Sequence, residues 1–89
     1  MKTYLAVDIG ASSGRHILGW LEDGKLKLKE IYRFKNGAED QNGRLCWEID
    51  RLESEVINGI AACETAPESV AVDTWAVDYV LLDKNGERF

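Results

Sequence analysis

The sequence has one histidine, one proline, one methionine and two cysteines in its 89 residues, and each scarcity removes a class of protein. Cys46 and Cys63 are too far apart for a CxxC redox or zinc pair, and His16 alone cannot complete a structural zinc site. Two reduced thiols in a cytoplasmic protein are the expectation. No apolar run approaches the length of a membrane span. The start, Met1-Lys2-Thr3-Tyr4, lacks a signal-peptide layout, because the apolar run Leu5-Ala6-Val7 stops at Asp8. There is no basic surplus either. The formal net charge is −5 with the signs interspersed, which argues against a nucleic-acid partner, since that needs a basic face. Repeats, linkers and low-complexity stretches are absent. What is present is a 45 % hydrophobic chain of one small domain at most, able to pack a core.

Thr3–Ile9 is short, apolar and β-branched, and predicts a buried strand. A turn of small residues, Gly10 to Gly14, leads into a second strand over about Arg15–Leu21. Asp23-Gly24 is a strong hairpin signal, with a third strand over Lys25–Phe34 beyond it. Simple alternation puts Leu26, Leu28, Glu30, Tyr32 and Phe34 on one face of that strand and the lysines on the other. Asn36–Gly43 is polar and glycine-rich, and predicts a loop. A helix is expected over Asp50–Glu64, opened by an Asp50–Glu53 capping box and stopped before Pro67. Its apolar stripe is Ile49, Leu52, Val56, Ile60 and Cys63, and Gly59 marks a close packing contact. Two strands follow, Ser69–Asp73 and Tyr79–Asp83, then a turn at Lys84-Asn85-Gly86, with room for a further strand to begin at Phe89. A right-handed helix crossover would bring the fourth strand parallel to the first, giving an α/β layer with the helix over a mixed sheet.

The sharpest chemical signal is Asp8 followed by Gly10-Ala11-Ser12-Ser13-Gly14-Arg15. Glycines let a backbone approach a ligand, successive turn amides form an anion nest, the serines add hydroxyls and Arg15 adds a fixed positive charge. A carboxylate beside such a nest suits a Mg²⁺–nucleotide complex. Neither G-x-x-x-x-G-K-[ST] nor G-x-G-x-x-G is present, and a strand, not a helix, follows the turn. Phosphates would be gripped by a β-hairpin. An ordinary Gly/Ser hairpin turn with a solvated aspartate is the alternative. Asp73 ends the fourth strand and would share a crevice with Asp8 at the carboxyl ends of neighbouring strands, or else cap the next turn.

Asp8-Ile9-Gly10-Ala11-Ser12-Ser13-Gly14-Arg15 resembles the first phosphate motif of the FGGY carbohydrate kinases. Arg33-Phe34-Lys35-Asn36-Gly37, Trp47-Glu48-Ile49-Asp50 and the run Val72 to Asp83 resemble the rhamnulokinase group within it, so the likeness spans Ala6 to Gly86. The first motif is shared loosely with actin-like, Hsp70-like and hexokinase-like ATPases, whereas Asp73-Thr74-Trp75-Ala76-Val77-Asp78 is narrower. The resemblance implies a ribonuclease-H-like fold, of which these residues are the amino-terminal, incomplete part of the first kinase domain. It implies transfer of the γ-phosphoryl group of Mg-ATP to the carbon 1 hydroxyl of L-rhamnulose in the cytoplasm. Ala11, Ser12, Ser13, Gly14 and Arg15 would hold the ATP phosphates, and Asp8 would face the Mg²⁺. The backbone of Ala76 would touch the sugar, where many relatives have glycine, with Trp75 beside it. The general-base aspartate and the adenosine pocket would lie beyond residue 89, leaving the chain inactive alone. Its open sheet edge would favour self-association. Kinases for another ketose or polyol, or a non-catalytic actin-like nucleotide-binding module, are the alternatives. Trp20 and Trp47 are expected as core or core-edge anchors, and His16 as a satisfied or solvated sheet residue.

Overall fold

Alternation in the first segment sends Leu5, Val7 and Ile9 to one side and Tyr4, Ala6 and Asp8 to the other, and only the first set is buried. In the computed structural model, which describes residues 1–88, this segment is β1 (Tyr4–Ile9). It pairs antiparallel with β2 (Ser13–Glu22), which pairs antiparallel with β3 (Lys25–Lys35) across the Asp23-Gly24 turn. Both turn residues have positive φ, 53° and 76°, the geometry that matches strand twist in a two-residue hairpin. The fold is mixed α/β. The possible strand start at Phe89 lies outside the described residues.

Two expectations about the middle of the chain need correction. Asn36–Gly43 is not a plain loop: β4 (Ala38–Gln41) and β5 (Arg44–Trp47) form a second hairpin around Asn42-Gly43, with φ of 55° and 83°. The faces of β3 also differ from simple alternation. His16 pairs with Tyr32 but Ile17 pairs with Glu30, so Ile31 is the extra residue of a β-bulge. Leu28 therefore lies in the column of Gly19 and Tyr4 on the open side, and Phe34 in the column of Gly14 and Ile9 on the core side. Leu26 and Leu28 are exposed, and Phe34 is buried.

The helix α1 (Ile49–Ala61) begins one residue before expectation and ends three earlier. Glu48 occupies the N-cap position without a side-chain cap bond, so Asp50 stands inside the first turn and the capping box does not form. Arg88 instead binds the Asp50 carboxylate at 2.7 Å. Leu52 is buried against Leu5, Val7, Ile9 and Phe34, with Val56, Ile60 and Cys63 packed around them, while Ile49 stays exposed. Gly59 does mark a close contact. A Cβ there would fall within the imidazole of His16, which is fully buried, and His16 Nε2–H donates to the Val56 carbonyl at 3.0 Å. Both cysteines are free.

After the helix, the Glu68 N–H donates to the Thr3 carbonyl at 2.7 Å and guides β6 (Ser69–Asp73) into parallel pairing with β1. The four-stranded sheet has the order β3-β2-β1-β6. The expected strand over Tyr79–Asp83 does not form. A single bridge, Leu82 to Arg88, closes around the Lys84-Asn85-Gly86 turn, because the apolar side chains from Tyr79 to Leu82 are exposed and no strand lies beside them among the described residues. Among the described residues, no helix is long and apolar enough to cross a membrane.

Candidate functional site

One row of charged residues crosses the sheet near the turn after β1. The register aligns Asp73, Asp8, Arg15 and Arg33 as successive partners across β6, β1, β2 and β3, and β1 and β6 are parallel, so both aspartates sit near their strands' carboxyl ends. The Asp8 side chain is 54 % exposed and its carboxylate lies 3.7 Å from Arg15 Nε, a loose ion pair weakened further by solvent. Arg33 is engaged elsewhere, by Glu30 at 2.6 Å.

Next to Asp8 the chain reverses through Gly10, Ala11 and Ser12. The Gly10 N–H donates to the Ser13 carbonyl at 2.9 Å, which closes the turn. Asn36, at the exit of β3, holds it from the side: its N–H donates to the Ser12 carbonyl at 3.0 Å and its Nδ2 to the Gly10 carbonyl at 2.9 Å. The Ala11 amide donates to no protein acceptor among the described residues. Ala11 and Ser12 are exposed, and Ser13 and Arg15 half-buried. The core requires glycine at Gly14, since a side chain there would enter the ring of Phe34.

Asp8 and Asp73 supply hard oxygen donors, and among the described residues no group of three or more His, Cys, Asp or Glu could form a cage. Two carboxylates at an open strand end fit a Mg²⁺ that keeps its waters and arrives with phosphates. The cation would neutralise phosphate charge there.

The second cluster follows β6. Trp75 and Trp47 stack with centroids 4.1 Å apart, and their indole N–H groups donate to the same Asp78 oxygen at 2.8 and 2.7 Å. These two donors, Trp75 first and Trp47 second, hold the Asp78 carboxyl below the usual carboxylate range. Trp75 and Trp47 are half-buried, Trp75 against the core, and Ala76 is exposed. Val77 beside it has φ of 67°, an outlier for a β-branched residue. An open cleft of about 640 Å³ between β5, the start of α1 and the Asp78–Val80 segment is lined by Trp47, Ile49, Asp78, Tyr79 and Arg88. Neither Asp8 nor the Gly10–Gly14 turn lines it.

Sequence reasoning thus missed the Asn36 clamp, the Trp47–Asp78 bond and the hairpin that delivers Trp47. Only the hairpin had a readable signal, the Asn42-Gly43 dipeptide.

An exposed aspartate pair and a clamped small-residue turn at the carboxyl ends of parallel strands define the class: a mixed α/β chain with acidic side chains and a braced turn together at one end of its sheet. Known proteins narrow it. Rhamnulokinase of Ligilactobacillus salivarius (strain UCC118) is 54 % identical over 91 residues, covering 99 % of this chain and 19 % of that protein. Rhamnulokinase of Oceanobacillus iheyensis is 53 % identical over 87 residues (94 % and 18 %), and that of Bacillus subtilis (strain 168) 47 % over 88 residues (96 % and 18 %). No model of a protein family matches the chain. The chain is a homologue of the rhamnulokinases along essentially its whole length, as its motifs indicated, and spans about a fifth of the curated relatives it matches.

Proposed function

We propose that this chain supplies the phosphate turn and part of the sugar pocket of a cytoplasmic rhamnulokinase, which transfers the γ-phosphoryl group of Mg-ATP to the carbon 1 hydroxyl of L-rhamnulose. The observation that carries the proposal is the register that sets Asp8 beside Asp73 at the entrance to a clamped turn, in a homologue of the rhamnulokinases. Asp8 is assigned to the cation side of the phosphates. Ala11 to Arg15 hold the phosphate oxygens through amides, hydroxyls and the guanidinium. The Ala76 backbone and Trp75 face the sugar, with Trp75 fixed by its stack on Trp47 and its bond to Asp78. Phosphoryl transfer depends on positioning and charge, so these residues orient the donor while a general base from outside the chain takes the hydroxyl proton. The sheet belongs, on this proposal, to the ribonuclease-H-like core of the first FGGY domain.

The test is ADP release by the full-length protein that carries this chain, with L-rhamnulose, other ketoses and glycerol compared at equal concentration. Preference for L-rhamnulose is expected. Preference for another acceptor would overturn the sugar assignment, and no ADP release with any acceptor would overturn the kinase.

A further inference from the structure

Asn36 makes two hydrogen bonds to the turn, one from its backbone N–H and one from its side chain. Each fixes more than a carbonyl. A trans peptide unit is planar, so its C=O and the following N–H point in opposite directions. Holding the Gly10 carbonyl toward Asn36 therefore aims the Ala11 N–H away from it, and holding the Ser12 carbonyl does the same to the Ser13 N–H. One residue thus sets two of the amides that an anion nest requires. Asn36 is itself braced, because Arg51 on α1 donates to the carbonyl of the preceding residue, Lys35, at 2.7 Å. Asn36 is half-buried, and its side-chain amide donates where an aspartate of the same shape could only accept.

Resting on the phosphate role given to the turn above, we propose that Asn36 is a positioning residue for ATP: it aims the Ala11 and Ser13 amides at the phosphates before the nucleotide binds. Amides fixed in advance need no reorganisation when charge arrives, so a loosened turn weakens phosphate binding and leaves the sugar side alone. The test compares Asn36→Ala and Asn36→Asp in the full-length protein, with Asp8→Asn alongside, reading KM for ATP, KM for the sugar and Tm. Loss of one such bond should raise the KM for ATP about tenfold in Asn36→Ala. Asn36→Asp should raise it further, since it keeps the shape, loses the donor and adds a negative charge near the phosphates. The sugar KM should stay within about twofold of its starting value. An Asn36→Asp protein with unchanged ATP kinetics overturns the role, as does an equal rise in both KM values accompanied by a lowered Tm. If Asp8→Asn alone is impaired, only the role of Asn36 falls. If Asp8→Asn and Asn36→Asp are both unimpaired, the phosphate role of the turn falls with it.

Discussion

Replacing Gly59 with alanine should destabilise the protein although alanine is the better helix former. In an exposed helix interior the change gains about 1 kcal/mol. Here the new methyl would occupy the His16 imidazole, and that ring has nowhere to go. It is fully buried, tied to the Val56 carbonyl at 3.0 Å and met edge-on by Tyr32 at 5.3 Å. Either α1 lifts from the sheet or the ring leaves its site. Overpacking of this kind costs about 1–3 kcal/mol, and stranding the buried Nε2–H adds about 1–3 kcal/mol more. Set against the helix gain, the net loss is about 1–5 kcal/mol. Urea unfolding followed by far-ultraviolet circular dichroism measures it. His16→Ala removes the ring, so adding Gly59→Ala to that background should cost far less than in the parent, a coupling of more than about 1 kcal/mol. A Gly59→Ala protein as stable as the parent, or more so, would refute the close packing of α1 on β2.

In the full-length protein, Asp8→Asn should lower turnover by roughly two orders of magnitude with little change in Tm, since it removes charge and keeps shape; a destabilised but fully active variant would leave Asp8 as a turn residue. Asp78 titrates below its ordinary 3.8 in the folded chain, so its contribution to stability is present above that value and fades as pH falls through the lower folded one. Tryptophan fluorescence should then change in the acid range below 3.8, and an Asp78→Asn protein with the same acid profile would contradict the assignment. The isolated chain should form dimers or larger species, because Tyr4, Leu21, Leu26 and Leu28 leave apolar area exposed on the open side of the sheet. A monomer by light scattering at high concentration would count against that.

Local signals carried most of the fold. The β-branched run before Asp8, the Asp23-Gly24 turn and the apolar strand after Pro67 each formed as their residues dictated, and β6 found β1 in parallel. Signals that depend on tertiary partners were harder. Asp50 and Glu53 have capping-box spacing, yet helical geometry starts at Ile49, where Trp47 and Glu48 position the chain, and Asp50 is drawn to Arg88 instead. The run Tyr79–Leu82 is apolar enough for a strand, but among the described residues only Leu82 finds a bridge partner, Arg88. At the site, Asp8 was visible because a carboxylate ending an apolar strand is costly to bury, whereas Asn36 was not, because its meaning lies in two carbonyls 24 and 26 residues earlier in the chain.

The extra residue at Ile31 gives β3 two reading frames. From Lys25 to Glu30 the even-numbered side chains stand on the open side; at Tyr32 and Phe34 they stand under the helix. Length within this strand is thus a heritable quantity separate from composition. Removing Ile31 itself would close the bulge and leave every other side chain on its present face, whereas a deletion between Lys25 and Glu30 that keeps the bulge would send the residues before it to the opposite face. Substitutions can accumulate along Lys25–Glu30 one at a time, but insertions and deletions must come in compensating pairs. Crossovers between related genes are safest at Asp23-Gly24 or past Lys35, where the phase of the strand passes intact to the recombinant.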